Sequence, residues 1–147
     1  VGGPSIRETT STTESLRRSV YHFQKRNVMP HMQDMFDGPS ALTSCSKRPV
    51  STVPLQPLFL LNSDFVNARS KKIATSILSG MSDKESNSPG QAVDRSFKAI
   101  LSRLPDDEEK ARSVEFLNAA WNPEKREEIL VQFCHALLNL NEFAYIP

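Results

Sequence analysis

The chain has 147 residues, of which 38% are hydrophobic and 24% are charged. This length fits one domain with its own core, and a net charge of +1 excludes a strong field over the whole molecule. The charge is uneven, because residues 1–73 carry +5 and residues 74–147 carry −4. We interpret this as two solvated faces of opposite sign, with a phosphate- or sulfate-binding face on the first half as the alternative.

The sequence predicts no signal peptide and no membrane span. Its longest strongly apolar run, residues 58–61, is far shorter than the ~20 residues that a helix needs to cross a bilayer. The chain begins at Val1 and not at a methionine. We therefore expect a processed form or a piece of a longer protein.

The first 13 residues, a GGP sequence followed by Ser and Thr, are typical of a flexible arm or linker. Residues 14–147 are then predicted to form a single helical domain. From Glu14, apolar residues recur at i, i+4 and i+7, which predicts a helix. A short strand is the alternative, because Tyr21 and Phe23 also alternate with polar residues.

The middle of the chain changes from irregular to helical. Residues 37–53 show no amphipathic period and predict a long loop, which in a compact domain is often functional. Pro54 suits the first position of a helix, where its missing N–H is not needed. The leucines and Phe59 that follow predict a short helix that is buried on several sides.

The second half is predicted to be a run of amphipathic helices. Ser88 and Asp106 each begin a sequence typical of a capping box, Pro105 is expected to end one helix, and Asn122 is expected to cap the last. We predict an all-α fold with five or six helices. It ends in an antiparallel three-helix unit over residues 88–141, with the long loop packed over this unit and the last helix central.

Several sequence motifs, taken in order, resemble one known family. They are RRSVY at 17–21, KR at 25–26, MFD at 35–37 followed by Cys45 and Arg48, VPLQPL at 53–58, LLN at 60–62, FV at 65–66 and ALLNLNEF at 136–143. The chain resembles the C-terminal domain of unknown function of large planctomycete proteins. It departs from the family pattern at Val53, where Thr is usual, and at Pro57, where Ala is usual.

This resemblance implies export to the periplasm or cell envelope, and it implies no established reaction. Members of the family often carry a cytochrome c-like domain near their N-terminus. The present chain has no Cys-x-x-Cys-His motif, so any heme is expected only in an upstream domain outside this sequence, and we predict no cofactor here.

The candidate site is the polar loop. A thiolate at Cys45 beside cations can act as a nucleophile or redox thiol, which makes Asp37, Cys45 and Arg48 the candidate catalytic residues. Arg17 and Arg18 are candidate ligand-binding residues. The simpler interpretation is that Asp37 caps a turn and pairs with an arginine to hold the loop in place.

Other kinds of site are weaker. His31, Asp34 and Asp37 are spaced by three, but no second ligand cluster follows, so we predict no metal site. Aromatic residues are too few to interleave with the basic ones, so we predict no nucleic-acid partner. A Cys45–Cys134 disulfide stays open, with a buried free Cys134 as the alternative.

We therefore predict an accessory or interaction domain that packs against upstream domains of the same protein or against an envelope partner. The alternative is that the loop contributes part of a hydrolytic or redox site acting on anionic polysaccharide. An accessory domain predicts an exposed apolar patch, whereas a site predicts that Asp37, Cys45 and Arg48 converge in a concave pocket.

Overall fold

The computed structural model describes residues 21, 25, 31–39, 42–47, 54–81 and 88–144. These residues contain helices and no strand, which confirms the all-α prediction. The helices are α1 His31–Met35, α2 Leu55–Asn62, α3 Asp64–Ser79, α4 Pro89–Ile100, α5 Asp107–Asn118, α6 Arg126–Leu138 and α7 Asn141–Ala144. The arm at 1–13 and the helix expected from Glu14 lie outside the described residues.

Seven helices in the described part exceed the five or six that we expected. One reason lies at the C-terminus, where the last long helix ends at Leu138 and Asn139 caps it. A separate turn, α7, follows. A helix of one turn is too short to show a hydrophobic period, so the sequence pattern did not separate it from α6.

The chain divides into two compact units, Val1–Gln56 and Pro57–Pro147. In the first unit, α1 ends in a left-handed turn. Asp37 has a φ of 54°, and the Gly38 N–H donates to the Gln33 carbonyl at 2.6 Å. This is the bond pattern of a Schellman-type helix end, which Asp and Asn tolerate better than other non-glycine residues.

Gly38 is required in this turn for space. A Cβ at this position would lie 2.6 Å from the Gln33 carbonyl oxygen, closer than real Cβ contacts allow. The left-handed φ of Asp37 and the bond from Gly38 to Gln33 form a tight turn, which agrees with the interpretation that Asp37 caps a turn. The packing of the loop at 37–53 over the three-helix unit stays a prediction.

The core of the second unit is built from four helices, α3 to α6. Its buried apolar side chains are Val66, Ala74, Ile77, Met81, Ala92, Val93, Phe97, Ile100, Leu117, Ile129, Leu130, Phe133, Cys134, Leu137 and Leu138. Helix α6 supplies six of them and contacts α3, α4 and α5. The prediction that the last long helix is central is confirmed.

Helices α4 and α5 run in opposite directions. Near the start of α4, a Cβ on Gly90 would lie 4.0 Å from Val114, in the second half of α5. Just beyond the end of α4, Arg103 pairs with Glu109 at the start of α5, at 2.7 Å. The predicted three-helix unit leaves out α3, which also packs on α6, where the Thr75 hydroxyl donates to Glu127 at 3.1 Å.

Helix α4 ends five residues earlier than Pro105 predicts. Its last residue is Ile100, and Ser102 adopts a left-handed φ of 60°. A left-handed residue cannot continue a right-handed helix, so Leu104 leaves the apolar stripe and becomes 64% exposed. The helical spacing of apolar residues from Val93 to Leu104 in the sequence predicts that Leu104 shares the buried stripe, and its exposure shows that this prediction is wrong.

The helix caps were predicted with mixed success. At α5 the capping box forms, because Asp106 accepts from the Glu109 N–H at 2.7 Å and Glu109 accepts from the Asp106 N–H at 2.8 Å. At α4 the Ser88 side chain makes no capping bond. Asn122 accepts from the Lys125 N–H at 2.9 Å, so it closes the turn before α6 and does not cap the helix itself.

Candidate functional site

The structure places two of the five candidate residues, and both belong to the polar loop. Asp37 holds the left-handed turn at the end of α1. Cys45 is exposed, and its thiol donates to the Lys47 carbonyl at 3.2 Å. Arg48, Arg17 and Arg18 lie outside the described residues, so the convergence of this set stays a prediction.

The two cysteines are both free, one exposed and one buried, so the structure contains no Cys45–Cys134 disulfide. The Cys134 sulfur lies 4.0 Å from the Ser96 hydroxyl in the core. Burial raises the pKa of the Cys134 thiol to about 11, and the Ser96 hydroxyl opposes this increase. Cys134 therefore remains a thiol at neutral pH and is a poor nucleophile.

Within the described ranges, no three His, Cys, Asp or Glu side chains gather closely enough to hold a metal ion. The helices in these ranges also include none that is long and apolar enough to cross a membrane.

Helix α2 buries an amide and exposes leucines, the reverse of what its sequence predicts. Gln56 is only 3% exposed, and its side-chain amide donates to the Met35 carbonyl at 3.0 Å, which ties α2 to the end of α1. Leu55, Leu58 and Leu61 point outward, with Leu58 and Leu61 each 51% exposed. The prediction that these leucines are buried was wrong.

The exposed leucines continue into an apolar surface that we call the α2 face, defined by Leu58, Leu61 and Phe65. Phe65 is 48% exposed and lies in the first turn of α3. The α2 helix carries no charged residue, whereas each of the other six helices carries at least one. The α2 helix therefore contributes no charge to this face, and Asp64 is the one charged residue between Leu58 and Phe65.

Cations border the α2 face on one side. The Arg69 guanidinium lies 4.9 Å from the centre of the Phe65 ring, a cation–π distance. Lys72 is one turn beyond Arg69 on the same side of α3. Neither of these two cations forms an ion pair with another described residue. The α2 face is thus apolar with two unpaired cations at one edge.

A second feature lies in the C-terminal half of the chain, where Arg103 connects α5 and α7 through ion pairs. Its guanidinium pairs with Glu109 through two bonds of 2.7 Å and with Glu142 through bonds of 2.7 and 2.8 Å. It also donates to the Leu104 carbonyl at 3.0 Å. All five N–H groups of this arginine are used, a planar arrangement that lysine cannot reproduce.

This cluster fixes the charge of its members. The Arg103 side chain holds the pKa of Glu109 at about 2, helped by the Asp106 N–H. Arg103 also lowers the pKa of Glu142, and the two carboxylates raise the pKa of Arg103. Because the partners bind one another completely, we interpret the cluster as structural and not as an acid–base pair.

The Arg103 cluster positions a second apolar surface, the α7 face, defined by Leu104, Leu140 and Phe143. These side chains are 64%, 40% and 44% exposed. The pairing of Arg103 with Glu142 brings the chain at 103–104 beside the chain at 142–143. Asp107, at the start of α5 beyond the cluster, forms no ion pair within the described part. The α7 face thus has an acidic edge.

Comparisons with known proteins give one match. No curated protein and no solved structure matches the chain significantly. A family model matches residues 1–117, about four-fifths of the sequence and up to the last turn of α5. The motif at 136–143 lies beyond the matched residues. The chain belongs to the PSD1 family, described as "Protein of unknown function (DUF1553)".

Proposed function

We propose that this chain is an accessory interaction domain that packs against other protein through the α2 face. The observation that supports this function is the exposure of Leu58, Leu61 and Phe65 within eight residues of a segment that has no charge until Asp64. Single exposed apolar residues are common, but three of them within eight residues, with no charge among the leucines, are typical of a docking surface.

The free energy of burying these three side chains supports this role. Burying a Leu or Phe side chain completely is favourable by about 1.5–3 kcal/mol. The three residues of the α2 face are about half exposed, so a partner that covers them recovers roughly half of that amount from each. Within the second unit, His135 Nε2 on α6 lies 3.2 Å from the Leu60 carbonyl, so the other side of α2 is held against α6.

The wider setting comes from the sequence resemblance. We propose that the chain is the C-terminal piece of a large exported planctomycete protein, located in the periplasm or envelope. Its partner is then an upstream part of that protein, which often includes a cytochrome c-like domain, or a neighbouring envelope protein. The hydrolytic or redox alternative rests on Asp37, Cys45 and Arg48, of which Arg48 lies outside the described residues.

Hydrogen exchange of the intact protein, compared with the dilute isolated chain, tests this proposal. We expect the backbone amides of α2 to exchange at least tenfold more slowly in the intact protein, because a partner covers them. The double variant Leu58→Asp with Leu61→Asp should lose this extra protection. The matched control Gln132→Asp, which places the same charge at an exposed position of α6 outside this face, should retain it. Equal exchange of α2 in the two samples contradicts the proposal.

A further inference from the structure

The two apolar faces of this chain carry opposite charge at their edges. The α2 face is bordered by Arg69 and Lys72 without ion-pair partners. Near the α7 face, Asp107 has no ion-pair partner within the described part of the chain, and Glu109 and Glu142 share the single positive charge of Arg103, which leaves the cluster with a net charge of −1. Complementary charge at the edge of a contact orients two surfaces and speeds their encounter.

The two faces also match in apolar content. Each presents two leucines and one phenylalanine that are between 40% and 64% exposed. An apolar centre with a charged rim is the usual anatomy of a protein–protein contact. The complement of the α2 face is therefore present on the same chain.

We propose that this chain associates with a second copy of itself head to tail, with the α2 face of one copy packed on the α7 face of the next. The inference rests on the proposed function in one respect, namely that the α2 face is a docking surface. Of the partners proposed above, it commits to the neighbouring envelope protein and identifies that protein as a second copy of this chain. A contact between two different faces is heterologous, so it does not stop at a dimer and grows into a ring or a filament.

Sedimentation velocity over a range of protein concentrations provides the test. We expect the wild-type chain to form a series of oligomers that lengthens with concentration. The variant Leu61→Asp, which places a charge in the α2 face, should be monomeric. The variant Phe143→Asp, which does the same in the α7 face, should also be monomeric.

Mixing the two variants gives the most specific result. Leu61→Asp retains an intact α7 face, and Phe143→Asp retains an intact α2 face, so one complete contact can form. We expect an equimolar mixture to give a 1:1 dimer and nothing larger. Only a head-to-tail contact gives this outcome, because each variant supplies the face that the other has lost.

The charged edges are tested separately. Lys72→Glu should raise the dissociation constant at least tenfold, and added salt should raise it for the wild type because exposed charges are screened. The control Gln132→Glu, at an exposed position of α6, should associate like the wild type. If an aspartate variant unfolds, Leu61→Ser and Phe143→Ser replace it in the same mixture.

Three results overturn the inference: a wild-type chain that stays monomeric at millimolar concentration, a wild-type series that stops at a dimer, or a mixture of variants that stays monomeric. If α2 is still protected from exchange in the intact protein, the first result removes self-association and leaves the docking function standing. If α2 shows no such protection but the mixture dimerises, the docking partner is the second copy alone.

Discussion

Helices α2 and α6 are both rich in apolar residues, but their surroundings are opposite. Helix α6 buries six side chains, including Leu130 and Phe133, among three other helices. Helix α2 buries Gln56 and leaves its outward leucines in water. An apolar helix therefore indicates a surface that favours burial, but it does not indicate whether the same chain or a partner buries it. This difference separates the core of the molecule from its proposed docking surface.

The largest change in stability is expected at Leu130 in the core, whose exposed fraction is 0%. The variant Leu130→Ala should lower the free energy of unfolding by about 2–5 kcal/mol, because it removes buried methyl groups and leaves a cavity. Urea denaturation followed by circular dichroism measures the change. A loss near zero, equal to that of the exposed control Gln132→Ala, would show that α6 is not the centre of the core.

A smaller effect is expected on the inner side of α2. The variant Gln56→Ala removes the donor to the Met35 carbonyl, and an unsatisfied buried acceptor costs about 1–3 kcal/mol. Hydrogen exchange should show faster opening of α1 and of the start of α2. The control is Asn62→Ala, whose side chain bonds to the Leu58 carbonyl at an exposed position. Equal exchange in both variants contradicts the role of Gln56.

A third effect concerns the segment after α6 and depends on pH. The folded-state pKa of Glu109 lies at about 2, below its ordinary value of 4.5, because Arg103 binds the carboxylate. A lowered pKa stabilises the folded state above pH 4.5, and this stabilisation is lost as the pH falls from 4.5 to 2. The melting temperature of Arg103→Gln should therefore fall below that of the wild type at pH 7, and the gap should close near pH 2.

The matched control for this pH dependence is Arg112→Gln. Arg112 pairs with Glu108 at 3.1 Å, but both side chains are 81% exposed, and such pairs contribute little. We expect its melting temperature to follow the wild type at every pH. If the two variants behave alike, the Arg103 cluster does not stabilise the fold.

The smallest effect is expected on the outer side of α2. The variant Leu58→Ala should change the free energy of unfolding of the isolated chain by no more than about 0.5 kcal/mol, because the side chain is half exposed. Thermal unfolding at low concentration measures it. A loss comparable with that of Leu130→Ala would show that the side chain is buried, and would break the comparison between the two helices.

The sequence could predict those features that depend on local pattern. The periodicity of α6 predicted its buried face at Phe133 and Leu137, and the spacing of Asp106 and Glu109 predicted their capping box. Both signals repeat at the helical period or at a fixed offset, so they need no knowledge of the rest of the fold.

Features that depend on distant contacts could not be predicted. The pairing of Arg103 with Glu142 joins residues 39 positions apart, and nothing local to either residue indicates it. The burial of Gln56 depends on the Met35 carbonyl of another helix. For the candidate set at Asp37, Cys45 and Arg48, residue types suggested a chemistry, but only the positions of the first two are described.

Because Cys134 is fully buried, the rate at which its thiol reacts with a reagent reports transient opening of the core. A thiol-specific reagent reaches Cys45 from solvent at once, whereas it reaches Cys134 only when α6 separates from α4. The ratio of the two labelling rates in a single sample therefore reports how often α6 and α4 separate, and no residue has to be introduced for the measurement.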